Sequence, residues 1–205
     1  MSTSNFHRVK VTAKAVKELR DLTGVGMMEA RDALTEAEGD VARAQEILRK
    51  KGQAKARKKA ERETRQGRVH SYIHDDGRLG VLVEVNCETD FVARNNDFKA
   101  LVHDLALHIA ASSPLYVSRS EVPAEIVEKE KEIYKAQVVA EKKSAEIMEK
   151  IIAGKLGKYF QEICLLEQPF VKNPDIIIHE HIAQKIATIG ENIQVRRFVR
   201  YRLGE

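Results

Sequence analysis

The chain has 205 residues, with 35 Lys+Arg against 31 Asp+Glu, a formal charge of +4 and a pI near 9.0, which is mildly basic rather than histone-like. Hydrophobic residues at 43% and charged ones at 32% exclude a wholly disordered chain, and a chain of this length buries about 70% of its unfolded surface, so it needs no staples. Six Phe, five Tyr and no Trp argue against a carbohydrate platform or a single-stranded nucleic-acid binder built on aromatic stacking.

Cys87 and Cys164 lie 77 positions apart with no CxxC between them, so a zinc ligand set is not expected and a reducing compartment is. The segment from Met1 to Val16 has no secretory apolar stretch, and apolar runs elsewhere fall far short of the roughly 20 residues of a membrane helix. The expectation is a cytoplasmic protein.

Three short helices come first. Thr12 caps one in which Val16, Leu19 and Leu22 recur at helical spacing before Gly24. A second starts near Met27, turns Ala30, Ala33, Leu34 and Ala37 inward and ends at Gly39. Asp40 caps a third, with Val41, Ala44, Ile47 and Leu48 inward and Gly52 behind it. Between the first two, periodicity favours Met27 and Met28 as core residues. Adjacent helical positions point about 100° apart, however, so one of the two is expected to face outward.

From Arg49 to Arg68 there are ten Lys/Arg against two Glu, a local balance of +8 that leaves −4 for the remainder. The Ala-, Lys- and Glu-containing composition predicts a solvated helical connector rather than a nucleic-acid site, since no aromatics or recognised motif accompany the charge. Beyond it, residues 69–77 run through an Asp-Gly turn into Arg78–Asn86, a predicted hairpin with Leu79, Val81, Val83 and Val85 on one face. The C-terminal stretch also alternates, with Ile193, Val195, Val199, Tyr201 and Leu203 on one face and Arg196, Arg200 and Arg202 on the other; Arg197 interrupts the apolar side. These three strands are expected to form one antiparallel sheet.

Helices cover it. One opens at Asn95 or Asn96, carries Phe98, Leu101, Val102, Leu105, Ala106 and Ile109, and stops at Ser112-Ser113-Pro114. Another starts with Pro123 in its first turn. A third is capped by Ser144, followed by a short helix near Tyr159-Phe160, a structured loop over residues 165–171, and a last helix from Ile182 to Ile189. The predicted class is α+β: a three-helix domain over 8–52, a basic helical connector over 53–67 and an α+β core over 68–205.

Catalytic signatures are missing. The sequence has no GxxxxGK[ST], GxSxG, HExxH or GxGxxG. His103 and His108, five apart on a predicted helix, diverge by about 140°, and no other His grouping supplies three or four ligands, so neither a metal nor a catalytic centre is expected. The most unusual stretch is Asn86–Asn95, where the hairpin hands over to a helix. Thr89 as a cap, Asp90 on the helix dipole and a buried Phe91 account for it structurally; the alternative is an Asp-Phe pair presented to a partner.

At these residues the chain resembles the elongation factor Ts family, exchange factors for the translational GTPase elongation factor Tu. The likeness rests on Leu19–Met28, Val83–Ala93, Leu166–Val171 and Ile189–Phe198, four blocks in the family's order along essentially the whole chain. The resemblance implies a ubiquitin-associated-like N-terminal domain, with Arg20, Met27 and Met28 contacting the partner's GTPase domain. It implies that Thr89, Asp90, Phe91 and Val92 enter the partner near its magnesium and phosphates, Phe91 as a wedge between partner helices and Asp90 close to that site. Long members carry two core subdomains and a coiled-coil module. This chain shows one core and resembles the short members, which implies a homodimer engaging elongation factor Tu in its GDP-bound and nucleotide-free states. No cofactor, membrane or specific nucleic acid is implied.

Overall fold

Every helix but one in the N-terminal half begins where a short polar side chain can take over an orphaned amide. The structure is a computed structural model and describes residues 11–139 and 144–205; the expected start of the first domain at residue 8 lies outside them. Helix α1 (Ala13–Thr23) is capped by the Thr12 hydroxyl, which accepts from Ala15 N at 3.2 Å. Helix α2 (Met27–Glu36) has only Gly26 at its start, and α3 (Val41–Lys59) is capped by Asp40, which accepts from Arg43 N at 3.0 Å. Val16, Leu19, Ala30, Ala33, Leu34, Ala37, Ala44 and Leu48 close a small core of their own. The expectation for Leu22 fails: it is 67% exposed, because the core is full one turn earlier at Leu19.

Helix α3 does not stop at Gly52. It runs on to Lys59, with Gly52 buried in mid-helix where an added Cβ would touch Ala187 at 3.5 Å. A glycine that sequence alone reads as a stop is here the place where two helices approach closely. The basic segment is therefore helical over its first part, but not wholly solvated.

Strand β1 (Gln66–Ile73) pairs antiparallel with β2 (Leu79–Cys87) through the Asp-Gly turn. Next come α4 (Asp90–Arg94), α5 (Asn96–Ser112), α6 (Ala124–Val139) and α7 (Ala145–Ile163). Helix α7 is continuous past Gly154 and Gly157, so the separate short helix expected near Tyr159 does not exist. Within 165–171 the expected loop proves to be a 3-10 turn leading into β3 (Pro169–Phe170), which pairs with β4 (Asn173–Ile177). Helix α8 (Ile178–Ile189) and β5 (Ile193–Arg202) complete the chain. The fold of the described residues is α+β, with eight α-helices and a three-stranded antiparallel sheet ordered β1-β2-β5.

Val81, Val83, Val85 and Cys87 on one face of β2 pack against Phe98, Leu101, Val102, Leu105 and Ile109 of α5 and Ile178, Ile182 and Ile186 of α8. Each such side chain contributes about 1.5–3 kcal/mol by leaving water.

The expected two faces of β5 hold only at its start. Val85 pairs with Val195 but Glu84 pairs with Arg197, so Arg196 is an extra residue and the alternation inverts beyond it. Phe198 and Arg200 turn inward, whereas Val199 and Tyr201 face out beside Leu82, Val69 and Ile73. Arg197 lies on that outer face and donates to Glu84 at 2.7 Å.

A polar network holds the second sheet in place. Val171 N donates to Nδ1 of the buried His108 (3.2 Å), so Nε2 carries the proton and donates to Gln168 Oε1 at 3.0 Å. Gln168 in turn donates to the carbonyls of Glu162 and Ser112. His181 stacks on Phe170 with ring centroids 4.4 Å apart, and its buried Nε2 makes no hydrogen bond. Burial depresses the pKa of both histidines, against Gln168 for His108 and Asp104 for His181. A depressed histidine pKa favours the folded state above the unfolded value near 6.5, and that stability is lost as pH falls through 6.5 toward the folded values. The urea midpoint is expected to fall as the pH is lowered from about 7.5 to about 5.5. Replacing His108 by Gln should flatten the profile; a wild-type midpoint constant over that range would contradict the assignment.

Candidate functional site

Where β2 ends, the chain must turn from the sheet onto α5, and it does so through the five residues of α4. Thr89 is extended (φ −126°, ψ 158°), and its hydroxyl accepts from Val92 N at 3.4 Å. Ala93 is the one buried residue of this turn, with Val92 half-buried against the core. Phe91 points the other way and is 83% exposed. The structural account expected from burial statistics, a Phe anchoring the turn in the core, is thus excluded for this conformation. Asp90 beside it is half-buried and pairs with Arg94 at 3.0 Å, a surface contact worth little and easily exchanged. Below the turn, the Cys87 thiol donates to Thr89 O at 3.2 Å; burial, then the Glu191 carboxylate, pushes its pKa up to about 11.

The Gly24–Met28 loop is the second candidate. Gly24 closes α1, and the chain re-enters a helix at Met27. Met27 is 45% and Met28 62% exposed, so both face solvent rather than one. Both sit in the first turn of α2, ahead of its first buried residue Ala30, past the rim of a core too small to reach them. With Leu22 they make an apolar end to the three-helix module, and Arg20 lies on the preceding helix α1, donating through Nε and Nη2 to Asp21 Oδ1. The loop and Thr89–Val92 rest on separate cores, and no hydrogen bond or ion pair among the described residues joins them.

Among the described residues no three His, Cys, Asp or Glu side chains converge on a metal position. The structure does bring together two histidines that sequence spacing did not connect: His70 of β1 and His103 of α5 lie with Nε2 and Nδ1 3.3 Å apart. Within α5, His103 and His108 do diverge, one toward the sheet and solvent, the other into the core.

The turn thus presents an exposed Phe with a carboxylate next to it, between strand and helix. The family model described as Elongation factor TS matches residues 9–205. The chain belongs to the elongation factor Ts family. The Elongation factor Ts of Acetivibrio thermocellus is 60% identical over 195 residues, covering 95% of this chain and 91% of the relative. That of Fervidobacterium nodosum is 56% identical over 197 residues, covering 96% of this chain and 100% of the relative. Membership in the elongation factor Ts family makes the chain a translation elongation factor of the nucleotide-exchange kind. Among the described residues no helix is long and apolar enough to cross a membrane.

Sequence reasoning missed one part of the site. Glu191, in the turn between α8 and β5, accepts from Thr89 Oγ1 at 2.6 Å, Thr89 N at 3.0 Å and Glu88 N at 3.2 Å. The only signal for it was its place in the Ile189–Phe198 block.

Proposed function

We propose that this protein binds GDP-loaded elongation factor Tu, inserts Phe91 between elements that support the magnesium and phosphate site, and so releases GDP and holds the nucleotide-free GTPase until GTP rebinds. The observation that carries it is the exposure of Phe91 on a turn whose neighbours are tied down. A GTPase holds its nucleotide through backbone amides, a lysine and a magnesium ion that tolerates little distortion of its octahedral shell. A wedge that shifts the supporting elements weakens several of these contacts together. Asp90, freed from Arg94, brings negative charge close to the same site. Coupling is reciprocal: whatever factor the exchange factor removes from GDP affinity, GDP removes from its own. No covalent bond is made or broken, so this is not catalysis in the strict sense.

The three-helix module, ubiquitin-associated-like in the family, is the second point of attachment through Arg20, Met27 and Met28. Met28→Asp is expected to weaken binding to nucleotide-free elongation factor Tu by about ten-fold, the cost of putting a charge where an apolar side chain is buried on docking. Its circular dichroism should match wild type, because Met28 is outside the core. Loss of helicity would show that the residue is structural.

The outer sheet face, with Val69, Ile73, Leu82, Val199 and Tyr201 exposed, is the surface we assign to a second copy of the chain. Light scattering with nucleotide-free elongation factor Tu tests partner and stoichiometry together. The expected mass is two chains with two GTPase molecules; a monomer that forms no complex would refute the assembly. The basic segment does not favour nucleic acid, since Lys50, Lys51, Lys55 and Arg62 already pair with Glu46, Glu36, Glu29 and Glu88.

A further inference from the structure

A turn of five residues with one buried side chain, Ala93, and one half-buried, Val92, has little packing to orient it. Isolated helical turns are unstable, because the first hydrogen bond fixes several residues at once. Phe91 faces solvent and adds no anchoring, so the direction in which it is presented depends on the polar contacts at the start of α4. One carboxylate supplies most of them. Glu191 accepts hydrogen bonds from the Thr89 hydroxyl and from the amides of Thr89 and Glu88. With its proton committed to Glu191, the Thr89 hydroxyl has its lone pairs left for Val92 N, the amide next to Phe91.

Glu191 is itself held from both sides. Gly190, at φ 92°, turns the chain sharply off α8, and its carbonyl accepts from Lys59 Nζ at the end of α3. Asn192 is buried and donates through Nδ2 to Ala60 O and Arg62 O, while its backbone amide donates to Glu88 Oε1 at 2.6 Å. Glu88 and Glu191 thus reach across the same gap in opposite directions, joining the end of β2 to the turn before β5.

We propose that Glu191 is a positioning residue for nucleotide exchange, setting the orientation of Phe91 through Thr89 without touching nucleotide or magnesium. This rests on the exchange function proposed above. The test is GDP release from elongation factor Tu, followed over a range of exchange-factor concentrations for Glu191→Ala, Glu191→Gln, Thr89→Val, Phe91→Ala and the doubles. Glu191→Ala is expected to lower the maximal rate by about ten-fold, the scale of a lost charge-assisted hydrogen bond, with little change in the concentration for half-maximal effect. Glu191→Gln keeps one acceptor oxygen and should fall between wild type and Ala. Because the residues act in series, Thr89→Val with Glu191→Ala should be no slower than the slower single variant, and Glu191→Ala should add nothing to Phe91→Ala. A merely structural role would lower the melting temperature without this non-additivity. Should the Ala variant fail to fold, Glu191→Gln alone and with Phe91→Ala decides by the same criteria. A wild-type rate for Glu191→Ala or Gln, or a loss that adds in full to Phe91→Ala, overturns the proposal while leaving the exchange function intact. A wild-type protein that does not accelerate GDP release overturns both.

Discussion

Replacing Phe91 by alanine is expected to slow GDP release from elongation factor Tu by roughly 30- to 150-fold while leaving the melting temperature of the free chain unchanged. The two halves of this expectation come from the same number. At 83% exposure the ring has almost no contacts to lose in the free protein, so truncation removes little folding energy. If the ring is buried only against the partner, its removal costs about 2–3 kcal/mol there, which is the stated factor in rate. Phe98 makes the opposite case. It is fully buried at the start of α5, and its loss would cost about 3–5 kcal/mol of stability. Stopped-flow release of a fluorescent GDP, with thermal melting of the same variant, separates the outcomes. An unchanged release rate would remove the wedge, and a melting temperature lowered by several degrees would place the ring in the core after all.

The second large effect is on folding. Gly67 in β1 lies opposite Asn86 with φ +148°, and an added Cβ would fall 2.2 Å from Val85 O and 2.7 Å from Asn86 Cα. Both are backbone atoms of the central strand, which is paired on its other edge to β5, so neither can yield without disturbing the sheet. Backbone strain of about 1–3 kcal/mol and an overpacking cost of similar size predict that Gly67→Ala loses about 3 kcal/mol or more in urea denaturation. Gly80→Ala is the control, since its Cβ would meet the tip of the flexible Ile73 side chain at 3.0 Å and the Tyr72 carbonyl oxygen at an ordinary contact distance of 4.0 Å. Equal midpoints for the two variants would contradict the close approach at Gly67.

What the sequence made legible was what local pattern controls. Thr12, Asp40 and Asn95 cap the helices they precede, and the alternation of β2 reports its buried face because no irregularity interrupts it. β5 alternates just as clearly, yet half of it points the other way, because the bulge at Arg196 is set by its pairing with β2. Gly52 followed helix-ending logic until tertiary contact with α8 gave it another use. Met27 and Met28 fit an apolar stripe, but how far a core extends depends on how many helices share it, and three short ones do not reach that far. At the site, Thr89 as a cap and Asp90 in the first turn followed from residue type. The outward direction of Phe91 did not, since nothing local distinguishes a buried from a presented ring. Glu191 lies 102 positions from Thr89, and a contact at that range leaves no periodicity to read.

The most direct test of the central claim is the rate of GDP release from the cognate elongation factor Tu, measured by stopped flow with and without the wild-type chain. The account predicts release that rises with the concentration of the chain toward a plateau and that is slowed in turn by added GDP, as reciprocal coupling requires. A release rate identical with and without the chain would contradict it.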